Sequence, residues 1–224
     1  MNFEEDDLGF QLHDSHYIVF FGKHSAQINL LRKKYPYLDF ASVKQVHGDQ
    51  TFHCTQAGLD LATADGIHSN LSKLGLIVKT ADCVPILGFH KKKFHLLSIH
   101  AGWRGVANQI TKKSFLSLPG QMSPEDWQIF IGPHLQKNSF LVQDDCLKLL
   151  AASTSLSTDM WSEWIESGWL VDLNVLLLDQ LVSLGIQADQ IKWLNLDTKS
   201  DLRFHSHRRD RELSGRQISF IARL

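Results

Sequence analysis

Apolar residues along the chain fall mostly into short runs that end at glycine, proline or polar residues. Runs of this length, rich in β-branched and aromatic residues, are typical of β-strands. In the last run Ile218, Phe220 and Ala222 alternate with other residues, as they do on one face of a strand. The pattern predicts strands over residues 16–21, 40–46, 51–55, 75–80, 94–99, 127–131, 191–196 and 217–223.

Helical periodicity is clearest after Asp172, a predicted N-cap, and ends before Gly185, which fits the position after a C-cap. The apolar stripe of this helix consists of Leu173, Leu176, Leu177, Leu181 and Leu184. Shorter helices are predicted over residues 26–34, 105–118 and 143–152. Residues 1–16 show weak periodicity and are predicted to form an arm or loop. The lysine-rich segment 90–93 is predicted to be the hairpin loop between strands 75–80 and 94–99.

The order of these elements mixes neighbouring strands with isolated helices and does not follow a strict alternation of strand and helix. This order favours an α+β fold with mixed sheets over a doubly wound parallel sheet. The chain has 224 residues and an ordinary globular composition, with 43% hydrophobic residues. We therefore predict one domain that spans residues 1–224.

Composition excludes several classes of partner. The net charge of −1 gives no general attraction to nucleic acid or to an anionic membrane. No apolar stretch reaches the roughly 18–20 residues that a membrane span requires, and the acidic start does not resemble a signal peptide. The three cysteines are too sparse for a disulfide framework, so we expect a cytoplasmic protein. Twelve histidines are the notable excess.

Candidate metal ligands follow three apolar runs: His47, Cys83 and His100. Thiolate sulfur and imidazole nitrogen suit zinc or copper, and a catalytic zinc takes three protein ligands and leaves one position open. The three residues lie too far apart in sequence for a zinc finger, so the tertiary fold would have to bring them together. The alternative is that Cys83 is a small buried apolar residue and both histidines are hydrogen-bonded polar residues.

Polar residues beside these ligands suggest further roles. Asp82 could orient a ligand histidine or act as a general base. The segment from Gly102 to Gly105 leads into a predicted helix, whose free N–H groups, together with Arg104, could hold a phosphate or carboxylate. Trp103 could stack on a planar base or pack into the core. The basic segment 205–216 could close over an anionic substrate, or it could be a solvated loop.

Eight short motifs lie over about residues 40–224. They are Lys44–Asp49, Ala64–Gly66, Thr80–Leu87, His100–Gly105, Ile131–Pro133, Asp172–Asn174, Arg208-Arg209 and Ser214–Arg216. In this order they resemble the motifs of the multicopper polyphenol oxidoreductase (laccase-like) family, also described as YfiH-like purine nucleoside phosphorylases. Two departures from the family pattern are a short N-terminal segment and Leu196-Asp197-Thr198 in a place where a cysteine is common.

The resemblance implies a two-sheet α/β/β/α sandwich with zinc, or copper as the alternative ion, on His47, Cys83 and His100. It implies phosphorolysis of adenosine, inosine, guanosine and methylthioadenosine, with adenosine deamination as a side activity. Purine nucleosides and phosphate would then be the partners. The catalytic residues would be Asp82, Cys83 and Arg104. The substrate-binding residues would be Gln45, Trp103, Arg104, Arg208, Arg209 and Arg216.

Three other functions stay open at this point. Copper-dependent oxidation of phenols fits the older family name, but a multicopper oxidase needs about ten ligands in His-rich pairs, which the sequence lacks. A Cys83 nucleophile with His100 as base would give an amide hydrolase, as in peptidoglycan editing. A zinc-stabilised binding module without activity is the fourth interpretation. A homodimer is also an open possibility.

Overall fold

The computed structural model describes residues 2–224 and contains fifteen β-strands and six α-helices in that range. The strands are β1 (Glu4–Glu5), β2 (Gly9–His13), β3 (Tyr17–Gly22), β4 (Asp39–Ser42), β5 (Thr51–His53), β6 (Gly66–Ser69), β7 (Leu74–Thr80), β8 (Val84–His90), β9 (His95–Ala101), β10 (Trp127–Ile131), β11 (Leu141–Val142), β12 (Ser162–Ile165), β13 (Gly168–Val171), β14 (Ile191–Trp193) and β15 (Gln217–Arg223). The α-helices are α1 (Ile28–Lys34), α2 (Trp103–Ala107), α3 (Ile110–Leu116), α4 (Asp144–Ala151), α5 (Leu173–Ser183) and α6 (His207–Asp210).

The strands form two six-stranded mixed sheets and one small sheet. The first large sheet has the order β1-β2-β3-β15-β7-β4 and the second has the order β14-β10-β8-β9-β6-β5. Most neighbours are antiparallel, while β4–β7, β10–β14 and β5–β6 are parallel. The small antiparallel sheet has the order β11-β13-β12.

Apolar side chains pack in three layers. The middle layer lies between the two large sheets and contains Phe21 of the first sheet and Phe89 of the second. A second layer joins the other face of the second sheet to helices α2–α5, and a third joins the first sheet to α1. The predicted α/β/β/α sandwich with mixed sheets is therefore confirmed. None of the helices within residues 2–224 is long and apolar enough to cross a membrane.

Elements with strong local signals were predicted well. Asp172 caps α5 by accepting a hydrogen bond from the Asn174 backbone N–H at 2.9 Å. Gly185 follows this helix with a φ of +87°, a conformation that costs glycine little. Strand β15 is buried on both faces, so Ile221 faces the middle layer while Phe220 faces the layer of α1.

The predicted pairing of strands 75–80 and 94–99 is wrong. Strand β7 lies in the first sheet, and β9 pairs with β8, which the sequence interpretation did not recognise as a strand. The lysine-rich turn does close a hairpin, but it joins β8 to β9. Pro85 and Gly88 weakened the strand signal of β8, because both residue types are depleted in strands.

Three further predictions are corrected. The helix predicted over residues 105–118 is two helices, α2 and α3, since Gln109 has a left-handed φ of +57° between them. The arm or loop predicted for residues 1–16 contains β1 and β2, which extend the first sheet at its edge. The hairpin of β12 and β13 was not predicted.

Candidate active site

The fold brings His47, Cys83 and His100 together. His100 lies in β9 and is buried, Cys83 comes directly before β8, and His47 lies in the loop after β4. Their ligand atoms lie within 4.8 Å of one another, and within residues 2–224 this is the one such group of histidine, cysteine or acidic side chains. One thiolate and two imidazoles form a donor set that suits zinc.

Asp65 lies behind the two histidines and is completely buried. Its carboxylate accepts a hydrogen bond from His100 Nδ1 at 2.8 Å and from the backbone N–H groups of His47 and Gly48 at 2.9 and 2.7 Å. The His100 ring therefore carries a proton on Nδ1 and directs Nε2 away from Asp65. Burial raises the pKa of Asp65, but the hydrogen bond from His100 and those from the backbone outweigh it and lower the net pKa.

The Cys83 thiol and the His100 ring form a buried pair of opposite charges, so a metal ion that binds both would have to displace the proton on His100 Nε2. Burial raises the pKa of the Cys83 thiol, but the adjacent His100 and His47 outweigh burial and lower the pKa to about 6. Burial lowers the pKa of His100, while the Cys83 thiolate and Asp65 outweigh burial and raise it. Cys83 is therefore a thiolate at neutral pH, the state required for both ligation and nucleophilic attack.

A glycine allows the ligands to approach each other. A Cβ atom on Gly102 would lie 3.1 Å from His47 Cδ2 and 3.2 Å from Cys83 Sγ. Both distances are tighter than ordinary van der Waals contact. The glycine between β9 and α2 is therefore a packing requirement of the candidate site.

The three candidate ligands form part of the wall of a cavity of about 520 Å³, a volume in the usual range for small-molecule sites. Basic side chains outnumber acidic ones, since Asp82 is the one carboxylate among the lining residues. The basic residues are Lys79, Arg104, Arg208 and Arg216. The apolar part of the wall comes from Trp103, Leu135, Phe140 and Leu173.

Comparison with known proteins gives a match over the whole described chain. The family model described as multi-copper polyphenol oxidoreductase laccase matches residues 2–224. The chain belongs to this laccase family. The chain is also similar to proteins whose names refer to a reaction other than that of a laccase.

Two relatives of the laccase-family chain are named purine nucleoside phosphorylases. The one from Xylella fastidiosa is 31% identical over 180 residues, which is 78% of this chain and 68% of the relative. The YlmD protein of Bacillus subtilis is 32% identical over 168 residues, which is 72% of this chain and 59% of that relative. The match to the second relative thus spans less than two thirds of its length.

A solved structure has the same fold. YlmD from Geobacillus stearothermophilus superimposes with a TM-score of 0.89, covering 99% of this chain and 98% of the other, at 22% sequence identity. At this identity the likeness shows a shared fold and nothing more. The α/β/β/α arrangement of this chain is therefore the fold of that solved structure.

Most of the predicted site residues line the cavity, but Arg209 does not. Its guanidinium donates to the Thr198, Lys199 and Phe204 carbonyl oxygens and to both carboxylate oxygens of Asp210. These bonds use all five N–H donors of an arginine side chain. Arg209 therefore holds the C-terminal loop together and has no donor left for a substrate.

Other predicted residues line the cavity while holding its wall in place. The Gln45 side-chain amide donates to the Lys79 carbonyl at 2.7 Å and accepts from the Lys79 backbone N–H at 2.8 Å. Asp82 accepts from the Thr198 hydroxyl at 2.7 Å and from the Arg208 backbone N–H. The suggestion that Asp82 orients a ligand histidine is not met, because Asp65 makes that contact.

Three ionisable residues at the site were missing from the predicted set. Lys79 and His207 line the cavity, and Asp65 supports the ligands. Asp65 is part of the Ala64–Gly66 motif, for which no function was predicted. Its position directly before a buried strand was the signal that could have identified it, since polar residues at strand ends often serve sites.

Proposed function

We propose that this protein is a zinc-dependent purine nucleoside phosphorylase. The observation that carries the proposal is the placement of a Cys-His-His group in the wall of a cationic cavity large enough for a nucleoside. The names of the two relatives support the reaction class. Adenosine, inosine, guanosine and methylthioadenosine are the proposed substrates.

The proposed metal ligands are His47, Cys83 and His100. Zinc would be held by the Cys83 thiolate and by the neutral His100 ring, whose Nδ1–H stays hydrogen-bonded to Asp65 when Nε2 loses its proton. When bound, zinc supplies the Lewis acidity that polarises a substrate group or activates water or phosphate. Copper is the alternative ion for the same donor set.

Phosphate is proposed to bind to the basic wall. Arg104, Arg208 and Arg216 make no ion pair with a carboxylate anywhere in residues 2–224, unlike Arg203 and Arg209. Basic side chains that lack an acidic partner in a concave site attract anions. The Arg208 guanidinium is also fixed by a 2.8 Å hydrogen bond to the Leu141 carbonyl, so it is held for binding before substrate arrives.

The nucleoside is proposed to bind on the apolar side of the cavity. The Arg104 guanidinium lies 4.4 Å from the Trp103 ring centre, which fixes the indole plane at the cavity wall. Phe140 also lines the cavity and lies under Arg208, whose guanidinium carbon is 5.7 Å from the Phe140 ring centre. Trp103 is the proposed stacking partner for the purine, and Gln45 contributes a polar edge.

In phosphorolysis a phosphate oxygen bonds to C1′ of the ribose while the bond from C1′ to N9 breaks. The electron pair leaves with the base, which takes up a proton. Asp82 is the proposed proton carrier: it would accept the proton that dihydrogen phosphate gives up and pass it to the base, since each of its oxygens keeps a lone pair beyond the one used for Thr198 or Arg208. For the side reaction, water replaces the amino group at C6 of adenine and ammonia leaves.

The test is the release of hypoxanthine from inosine with and without phosphate. We expect phosphate-dependent release, and we expect Cys83→Ala to abolish it. Cys146→Ala is the matched control, because Cys146 is a buried cysteine of the helical layer that does not line the cavity, and its variant should keep the activity. Release that is independent of phosphate would contradict the proposal.

One observation favours a second candidate function. The lowered pKa of Cys83 beside His100 resembles the activated thiolate of cysteine hydrolases, so amide hydrolysis in peptidoglycan editing is the second proposal. An enzyme that resists chelators and is trapped by a thiol-reactive amide analogue would support it. Copper-dependent oxidation of phenols has less support, because residues 2–224 contain a single candidate metal cluster.

The proposed reaction also fits a proposed location. All three cysteines are free thiols, two of them buried, as in proteins of a reducing compartment. We therefore propose a cytoplasmic enzyme that acts on soluble purine nucleosides and phosphate. The homodimer stays a prediction from the sequence.

A further inference from the structure

We infer that Asp65 is the positioning residue of the metal centre, fixing both ligand histidines before a metal binds. Asp65 does not belong to the Cys-His-His group itself. It acts through the backbone at His47 and through the ring of His100. The inference rests on the proposed metal centre and adds the residue that determines its geometry.

The first contact is with the loop that carries His47. The backbone N–H groups of Val46, His47 and Gly48 all donate to the Asp65 carboxylate. His47 has a φ of +61°, a left-handed conformation that is unfavourable for a residue with a Cβ atom. Three converging N–H groups form an anion-binding concavity, so the buried carboxylate offsets the cost of this backbone turn.

The second contact is with His100, which Asp65 holds at two points. The His100 backbone N–H donates to the Asp65 carbonyl at 2.7 Å, and the ring Nδ1 donates to the carboxylate at 2.8 Å. The backbone bond sets where β9 lies, and the ring bond sets how the imidazole is rotated. The second shell of metal sites commonly uses such a carboxylate to fix the tautomer of a ligand histidine.

Charge provides the third argument. A cysteine binds metal as a thiolate, so the Cys83 sulfur and the completely buried Asp65 carboxylate would be the two negative groups at the buried end of the site. Together they balance the two positive charges of a divalent cation, and buried charges are tolerated when they are balanced. A neutral residue at position 65 would leave one positive charge unbalanced and would weaken metal binding.

The test compares Asp65→Asn with Asp49→Asn in the full-length protein. Asparagine has nearly the same shape, but its NH2 group would face an N–H donor, either that of Gly48 or that of His100. Asp49 lies in the same loop and pairs at the surface with Lys113, so its variant removes a nearby charge without touching a ligand. Zinc affinity is measured by competition with a chromophoric chelator, and circular dichroism of the metal-free protein checks the fold.

We expect wild type and Asp49→Asn to bind one zinc ion with similar affinity, and Asp65→Asn to bind about 10- to 100-fold more weakly. Equal affinity in all three proteins would overturn the role of Asp65. A wild type that binds no zinc would instead overturn the metal centre.

If Asp65→Asn does not fold, Gly48→Ala serves as the second variant. It keeps every hydrogen-bonding group and places a Cβ atom 3.3 Å from the Asp65 carboxylate oxygen. We expect it to weaken zinc binding by several-fold relative to Asp49→Asn, and unchanged affinity would count against the inference.

Discussion

At the scale of single residues, the candidate site depends on how closely three side chains can approach one another. Gly102 lies against both Cys83 and His47, and it has no side chain that would push these two ligands apart. The charge of Cys83 depends on the same closeness, since His100 and His47 lower its pKa against the effect of burial. Small changes in distance should therefore alter metal binding before they alter the fold.

Gly102→Ala tests this dependence. The added methyl group would contact His47 and Cys83 at 3.1 and 3.2 Å, so the ligands must separate. Overpacking of this kind costs about 1–3 kcal/mol, which corresponds to roughly 5- to 150-fold in zinc affinity.

Gly120→Ala is the control for Gly102→Ala. Gly120 has a φ of +69° and open space around its Cα, so alanine strains the backbone without touching the site. The control should lose some stability and keep its zinc affinity. If Gly102→Ala binds zinc as tightly as the control, the ligands are not packed as described.

At the scale of elements, the C-terminal loop that ends in α6 forms one side of the cavity. Asp82 holds this loop through Thr198 and the Arg208 backbone, and Arg209 holds it through its five donors. Arg208 and Arg209 are adjacent in sequence but have different roles, since one guanidinium lines the cavity and the other lies inside the loop. These contacts hold Arg208 at the cavity, while Lys79, Arg104 and Arg216 reach it from other parts of the chain.

The two arginine roles can be separated by measurement. Arg209→Ala removes hydrogen bonds to three carbonyl groups, so we expect a loss of about 1–3 kcal/mol in the free energy of unfolding and a raised KM for phosphate. Arg216→Ala should raise the KM for phosphate while changing stability by less than about 0.5 kcal/mol. Urea unfolding and initial rates check both variants. A fully stable Arg209→Ala protein would contradict the structural role.

The sequence predicted those elements whose signals are local. Helix α5 has its cap, its stripe and its terminal glycine within one segment, so its bounds followed from the residues alone. Strand β8 was missed because its position depends on pairing with β9 and β10, which no local pattern reveals.

The roles of the site residues were harder to predict. The different roles of Arg208 and Arg209 depend on the path of the loop, and the role of Asp65 depends on two contacts distant in sequence. The three predicted metal ligands do lie together. Two of them are held by paired strands, since Cys83 comes directly before β8 and His100 lies near the end of β9.

At the scale of the whole molecule, histidines account for an unusual share of the buried polar groups. His68 and His95 are almost fully buried on β6 and β9, and one ring nitrogen of each shares a 2.9 Å hydrogen bond. His53 stacks on His68 with ring centres 4.7 Å apart, and His90 is the cross-strand partner of His95. Burial lowers the pKa of both His68 and His95 to about 4, and the neighbouring histidines add to this effect.

This cluster predicts that acid destabilises the fold. An unfolded histidine titrates near 6.5, so between about pH 6.5 and pH 4 the unfolded chain binds more protons than the folded one. Stability should therefore fall as the pH falls through this window, by up to about 1.4 kcal/mol per pH unit for each histidine.

Urea unfolding at pH 7.5, 6 and 5 measures the effect. The double variant His68→Gln and His95→Gln should give a flatter dependence than wild type, because neither glutamine gains a proton. His13→Gln, at an exposed position, should leave the slope unchanged. Identical slopes in wild type and the double variant would show that other groups dominate acid unfolding.

One metal ion, held by His47, Cys83 and His100, is proposed to support phosphorolysis of a purine nucleoside. A zinc titration of the metal-depleted protein, followed through phosphate-dependent release of hypoxanthine from inosine, tests this directly. We expect the rate to rise in proportion to added zinc and to stop rising at about one equivalent per chain. Full activity in the metal-depleted protein, or no phosphate-dependent release at any zinc level, would contradict it.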